Sequence, residues 1–391
     1  MKIYMKRLIT IFVLISLFVY GCAKSGKGGD LYTISVNDDN IEKVDNYDIS
    51  TLFEDSLTII PLQVTDECLL VNSSSFSVVN NYIYYQDATT REVCRFDMQG
   101  NFLNKIGKYG RGPGELMASD HFSVIGDSLL MMDMSMGNFC FYDLYGTGYR
   151  EYELTPFVST TYFEVIDNNL YLMTNNAEMH NLIVQDLRSD NRTYYLPADS
   201  SFFDSYACWE TDNQFFVNQR GLYFRASSLN DTIFVINDGI VKPAFRIDFG
   251  KDKMPDEYIA EHGAYNLIVN AMKDNYFTDF MMYGIVDDKL FADYTIGKSN
   301  YALLHNFADN KSVATNCFVL KSDGTLPVHT YRIANNTLLF SAGASELLKT
   351  LPILLEHGKF SNAATKQKLQ NLLANLNEDS NPVIFVKSFK F

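Results

Sequence analysis

The chain has 391 residues, 47% of them hydrophobic and 14% aromatic, and a formal net charge of −15. Such acidity excludes nucleic acid and an anionic lipid surface as electrostatic partners. The 25 Tyr and 29 Phe suit a large β core, and the length is compatible with a single all-β domain.

The N-terminus comes first. Residues Met1 to Arg7 carry Lys2, Lys6 and Arg7, and an apolar run follows from Leu8 to Tyr20. That run is short for a membrane span and fits the h-region of a signal peptide. Met5 offers a second possible start, because MKRLITIF is a complete n-region by itself. The run ends in Val19-Tyr20-Gly21-Cys22. A small residue followed by Cys at this point resembles the bacterial lipobox, so residues 1–21 are expected to be a lipoprotein signal and Cys22 the lipidated residue. Tyr20 departs from the usual small residue, and the alternative is an ordinary secretory signal with an incidental Cys. The next residues, AKSGKGGD, are small and polar with nothing to bury. Residues 22–50 therefore read as a flexible tether and an irregular lead-in, ahead of a body over 51–391.

Six Cys are present. Apart from Cys22, the five at Cys68, Cys94, Cys140, Cys208 and Cys317 are an odd number, with no Cys-x-x-Cys pair, inside apolar strand patterns. They read as small buried hydrophobes.

Leu57 to Pro61 is the first firm strand. Two similar segments follow, YIYYQDATTREVCRFDMQGNF from Tyr82 and LLMMDMSMGNFCFYDLYGTGY from Leu129. Asp87 and Asp133, Cys94 and Cys140, Asp97 and Asp143, and Gly100 and Gly146 share one spacing of 46 residues. Short strands and turns repeating at that period predict propeller blades. The first blade has strands at Phe76 to Val79, Tyr82 to Gln86, Glu92 to Phe96 and Phe102 to Ile106, with Asn and Gly in the turns. The second runs from His121 to Glu153, the third from Tyr162 to Leu196, the fourth from Asn213 to Phe249 and the fifth from Asp279 to Phe318. The sixth has Tyr331 to Ala334, Thr337 to Ser341 and Val383 to Lys387, one strand short at its outer edge. Leu57 to Pro61 is spare, and is expected to complete that blade and close the ring. The fold class is thus all-β, a six-bladed β-propeller of four-stranded antiparallel blades.

Two segments break the β rhythm. Residues 252–273 carry Ile259, Leu267, Ile268 and Met272 at helical spacing, and 345–376 read as two amphipathic helices. Strand parity places these insertions. If the four strands alternate in direction outward from the axis, every blade-to-blade crossover and every turn between second and third strands lies on one face. The loop Gly107-Lys108-Tyr109-Gly110-Arg111-Gly112-Pro113-Gly114-Glu115 and both helical insertions then share that face. So do Asp87 and Asp133, which end second strands. Long insertions gathered on one face point to a binding face. The expected site is a pocket near the axis, walled by the helices, with Arg111 and Glu115 at its rim and Asp87 and Asp133 nearby.

The lipobox, the GRGPGE loop after a strand ending in Ile-Gly, the IDFGKDKMPDEY segment and the closing NPVIFVKSFKF resemble the six-bladed β-propeller lipoproteins of Gram-negative anaerobes. These are similar in blade pattern to NHL-like propellers. The resemblance implies the fold and a cell-envelope location, and it brings no catalytic residues. Such lipoproteins with an acidic run after the Cys are favoured for surface export. The tether here carries Lys24 and Lys27 instead, so a periplasm-facing position is expected.

The chemistry stays open. The glycine loop lacks the Gly-Lys-Ser/Thr ending of a phosphate-binding loop, and Pro113 removes one backbone donor. It reads either as a tight crossover with Arg111 pairing to Glu115 or a neighbouring carbonyl, or as a ligand contact through Arg111. The His residues (121, 180, 262, 305, 329 and 357) show no metal-ligand spacing, so scattered His with no metal and no cofactor is expected, the alternative being a cluster gathered from different blades as in some NHL-like propeller lyases. Asp87 and Asp133 read as turn caps or ligand contacts. Neither a Gly-x-Ser-x-Gly elbow nor a calcium loop is present. Three functions fit: an envelope protein binding a glycan, peptide or protein; a propeller lyase or hydrolase; or a scaffold subunit of an envelope complex.

Overall fold

The computed structural model describes residues 31–36, 41–70, 73–117, 119, 121–133, 137–160, 162–174, 177–198, 215–226, 230–329, 331–334 and 336–390. The signal region and Cys22 lie outside the described residues.

Six antiparallel sheets form the ring. Blade 1 comprises, from the axis outward, Ser73–Val79, Tyr82–Asp87, Val93–Asp97 and Phe102–Ile106. Blades 2 to 5 begin with the inner strands Phe122–Ile125, Tyr162–Ile166, Phe215–Asn218 and Phe277–Val286. They end with the outer strands Tyr149–Glu153, Arg192–Pro197, Ile240–Asp248 and Lys311–Leu320. Apolar residues of neighbouring sheets interleave, as where Leu130 and Phe139 of blade 2 meet Phe163 and Leu172 of blade 3. This face-to-face burial supplies the main stabilisation.

The ring closes as expected. Blade 6 contains Tyr331–Ala334, Thr337–Ala342 and Val383–Ser388, and its outer strand is Thr58–Pro61, paired antiparallel from Val383↔Pro61 to Val386↔Thr58. Gly100 fits the seam because its φ is +83° and an added Cβ would lie 2.1 Å from the Pro61 carbonyl oxygen.

The lead-in needs a correction. Residues 31–50, expected to be irregular, carry two strands that belong to the body. Thr33–Ser35 adds parallel to Ile240–Asp248, and Glu42–Asp48 adds parallel to Lys311–Leu320. Ile34, Val36 and Ile41 are buried there, and Tyr32 Oη makes a 2.9 Å hydrogen bond with His305 Nε2 and donates to Asn310 Oδ1 at 2.7 Å. An exposed sheet edge accepts a polar segment through main-chain hydrogen bonds, so sequence periodicity gives little warning of it.

Among the described residues three α-helices interrupt the blades: α1 over Asp256–Lys273, α2 over Ala344–His357 and α3 over Ala363–Asn375. Asn362 caps α3, its Oδ1 accepting from Ala364 N at 2.9 Å. By connectivity α1 is a crossover from blade 4 to blade 5, and α2 and α3 join the second and third strands of blade 6. Both insertions therefore leave the ring on one face. The pair α2–α3 then turns outward: Leu347, Leu351, Leu354, Leu369 and Leu372 bury with Leu57, Leu320 and Leu326. Lys368 Nζ donates to the Leu57 carbonyl at 3.0 Å. These two helices flank the outer strand of blade 6 and do not wall the axis.

Candidate functional site

The glycine loop is held by its own chain. Glu115 Oε1 accepts from Lys108 Nζ at 2.6 Å, and Oε2 accepts from Gly112 N at 2.9 Å. Gly110 N donates to Leu116 O at 3.2 Å, and Gly114 N to Glu151 Oε1 at 3.1 Å. Three glycine amides that an anion would need are thus already engaged. Lys108, then the Gly112 amide, hold the Glu115 carboxyl below its ordinary range. Of the two partners expected for Arg111, Glu115 is taken by Lys108, and Arg111 is exposed. Gly114 packs against Tyr149 of the blade 2 outer strand, which puts this part of the loop at the rim and away from the axis.

Asp87 and Asp133 are both buried. Asp87 Oδ1 accepts from Thr89 N and Thr90 N, each at 2.8 Å, capping the turn after its strand. Asp133 Oδ2 accepts from Met117 N at 2.9 Å, fixing the exit of the glycine loop. They share the crossover face, and the bonds shown hold the chain in place.

The structure gathers a different set at the axis. Inner strands begin on the crossover face, and Ser75, Ser123, Glu164, Asp279 and Arg332 each lie within the first three residues of an inner strand. Arg332 Nη2 donates to Ser75 Oγ at 2.8 Å, joining blade 6 to blade 1. Ser123 Oγ donates to the Glu164 carboxylate, joining blade 2 to blade 3, and Val165 N adds a 3.0 Å bond to the same carboxylate. Burial pushes the Glu164 carboxyl up, with Ser123, Val165 and the Arg332 charge opposing.

His121 stands immediately before the blade 2 inner strand. Its ring lies 4.1 Å from that of Tyr162 and 5.0 Å from that of Phe163. Burial, aided by the Arg332 charge, drives its pKa down to about 3, while a hydrogen bond to the Phe163 backbone works the other way. The imidazole is therefore neutral near pH 7. Its Nε2 is buried without a hydrogen-bond partner among the described residues.

Across the axis, Arg225 ends the second strand of blade 4, Gly221–Arg225, and is 4% exposed. Its Nη2 donates to Asp279 Oδ1 at 3.0 Å, whereas Nη1 is buried without a partner among the described residues. Asp293 accepts from Tyr283 Oη at 3.0 Å and Tyr331 Oη at 3.4 Å. Burial pushes its pKa up to about 7, Asp279 adding to the rise. The axial end thus offers hydrogen-bond donors and acceptors from all six blades, partly satisfied by one another. Among the described residues no group of three metal-ligating side chains is present.

Sequence reading missed this cluster because it looked at turns. A signal was available: Ser123 and Glu164 hold the same register, opposite Leu130 and Tyr171. A charge in an inner strand breaks the apolar alternation. A separate open cleft of about 580 Å³ lies at the rim between α3 and Thr58–Pro61, with Lys368, Asn371 and Asn375 on the helix side.

The structure is similar to that of a Bacteroides fragilis protein named as exported. The two are 18% identical with a TM-score of 0.72, over 92% of this chain and 100% of that one. It is also similar to a member of the DUF4221 family from Bacteroides vulgatus, 14% identical with a TM-score of 0.48, over 86% of this chain and 97% of that one. At these identities the first likeness shows the fold alone. No curated protein matches the chain. Residues 31–387 match the family described as Domain of unknown function (DUF4934), and the six-bladed chain belongs to that family.

Proposed function

We propose that this chain is a lipid-anchored cell-envelope β-propeller that binds a polar ligand at the axial cluster and performs no chemistry of its own. The observation that carries the reading is the pair of buried, unpartnered nitrogens, Arg225 Nη1 and His121 Nε2, at the crossover end of the axis. Buried polar atoms are nearly always satisfied, so each of these orphans marks a place for a ligand's or water's hydrogen bond. The mixed donors and acceptors suit a glycan or peptide better than a bare anion. The signal-like N-terminus with Cys22 supports the anchor and a periplasm-facing envelope position, and the similar Bacteroides fragilis protein is named as exported.

The test is calorimetry and thermal shift with short oligosaccharides and short peptides on wild type and His121→Phe. Binding by wild type, with at least a tenfold loss in a His121→Phe protein of unchanged fold, supports the site. Equal binding by both sinks it. For the anchor, Cys22→Ser should abolish fatty-acid labelling and release the protein from membranes.

A second reading, a propeller lyase or hydrolase, is favoured by Asp293, whose pKa near 7 suits proton transfer. Turnover of any bound glycan or peptide, lost in Asp293→Asn, would establish it.

A further inference from the structure

Cys68 and Cys94 are both buried, at 1% and 2% exposure, in one apolar cluster with Leu62, Leu70, Phe76 and Phe96. Both are free, and each thiol is the other's side-chain hydrogen-bond partner. Cys68 belongs to the connection between the closing strand Thr58–Pro61 and the inner strand of blade 1, whereas Cys94 sits in the third strand of that blade. The Cys68 backbone is fixed: its N–H donates to Thr65 O at 3.0 Å, and its carbonyl accepts from Asn381 Nδ2 at 3.0 Å. The matching residue of blade 2, Cys140, meets Tyr142. The facing pair is thus a feature of the seam and not of the repeat.

We propose that Cys68 and Cys94 are a disulfide-forming pair that staples the ring-closing segment to blade 1. In the cell this rests on the export reading above, which supplies an oxidising compartment. The oxidant is a disulfide-bearing molecule, RSSR. The Cys68 sulfur, as thiolate, attacks one sulfur of RSSR; that S–S bond breaks and one RS⁻ leaves, taking a proton. The Cys94 sulfur, losing its proton, then attacks the Cys68 sulfur of the mixed disulfide and expels the second thiol. Two protein thiols are oxidised and one external disulfide is reduced to two RSH. The order follows from position: Cys68 lies in the connection that moves with the closing segment, and Cys94 lies in the third strand of blade 1. Because both sulfurs are buried, exchange takes place while the closing segment is open, before or during ring closure.

The test uses full-length mature protein refolded with oxidised glutathione, then alkylated in denaturant and digested with trypsin. Cleavage after Arg91 and Arg95 puts the two cysteines on different peptides. The expected result is one linked pair, Cys68 with Cys94, while Cys140 and Cys317 stay alkylated. In Cys94→Ala a glutathione adduct should accumulate on Cys68. Reductant should lower the melting temperature of wild type by several degrees and leave Cys94→Ala unmoved. Full alkylation of both cysteines, or a different linked pair, overturns the proposal. A link that forms with glutathione but is absent from protein recovered from cell envelopes overturns the exported location and leaves the pairing standing.

Discussion

Arg332 of blade 6 donates to Ser75 of blade 1 at 2.8 Å, so the axial cluster and the seam that closes the ring share one hydrogen bond. The same guanidinium charge lowers the pKa of His121 in blade 2 and of Glu164 in blade 3. Arg332→Met should therefore raise both pKa values. Losing the bond to Ser75 should cost about 1–2 kcal/mol. An NMR titration in which His121 does not move would show that Arg332 acts on the seam alone.

Asn381 holds the closing segment. It is 1% exposed; its Oδ1 accepts from Leu70 N at 2.7 Å, and its Nδ2 donates to Gln63 O at 2.8 Å and Cys68 O at 3.0 Å. Asn381→Leu would strand three backbone groups and should cost about 3 kcal/mol or more. Denaturant titration checks this, and a loss below about 1 kcal/mol would mean that water replaces the amide.

Lys387 and Asp323 form an ion pair with both side chains 1% exposed, linking the third strand of blade 6 to the crossover from blade 5. Removing one partner leaves a buried charge, so Lys387→Met should cost about 3–5 kcal/mol. Lys387→Met combined with Asp323→Leu should recover most of that. A double mutant no better than the single would point to packing and not charge.

Asp293 sets a pH dependence. Its folded pKa is raised to about 7 from 3.8. The group's contribution is therefore fully present below about pH 4 and is lost as pH rises through 7. Asp293→Asn should remove this loss, so the variant should exceed wild type in melting temperature at pH 8. Parallel curves for the two proteins from pH 4 to 8 would contradict the assignment.

The N-terminal strands can be removed in two steps. Starting the chain at Ile49 strips Ile34, Val36 and Ile41 from blades 4 and 5, at about 2 kcal/mol each, and bares two sheet edges. The result should be a folded but less stable, aggregation-prone ring. Starting it beyond Leu62 also removes the fourth strand of blade 6 and should abolish cooperative unfolding. Calorimetry separates the two, and an unchanged melting temperature for the longer deletion would rule out closure by Thr58–Pro61.

The sequence alone determined the blade rhythm, the spare strand at Leu57 to Pro61 and the positions of the helices. Those features are local: a 46-residue repeat, turn residues and helical spacing each act over a few positions, and strand parity then leaves little freedom for the face on which insertions emerge. Partnership was decided only by the tertiary structure. Glu115 takes Lys108 and not Arg111 because the loop's curl sets which cation is in reach. The segment around Ile34 and Val44 becomes sheet because two outer edges offer unpaired backbone groups, a property of the folded ring and not of the segment. The axial cluster joins Ser75 to Arg332 and Ser123 to Glu164 across distant stretches of chain. No local pattern encodes such contacts, since they exist only once six inner strands converge on one axis.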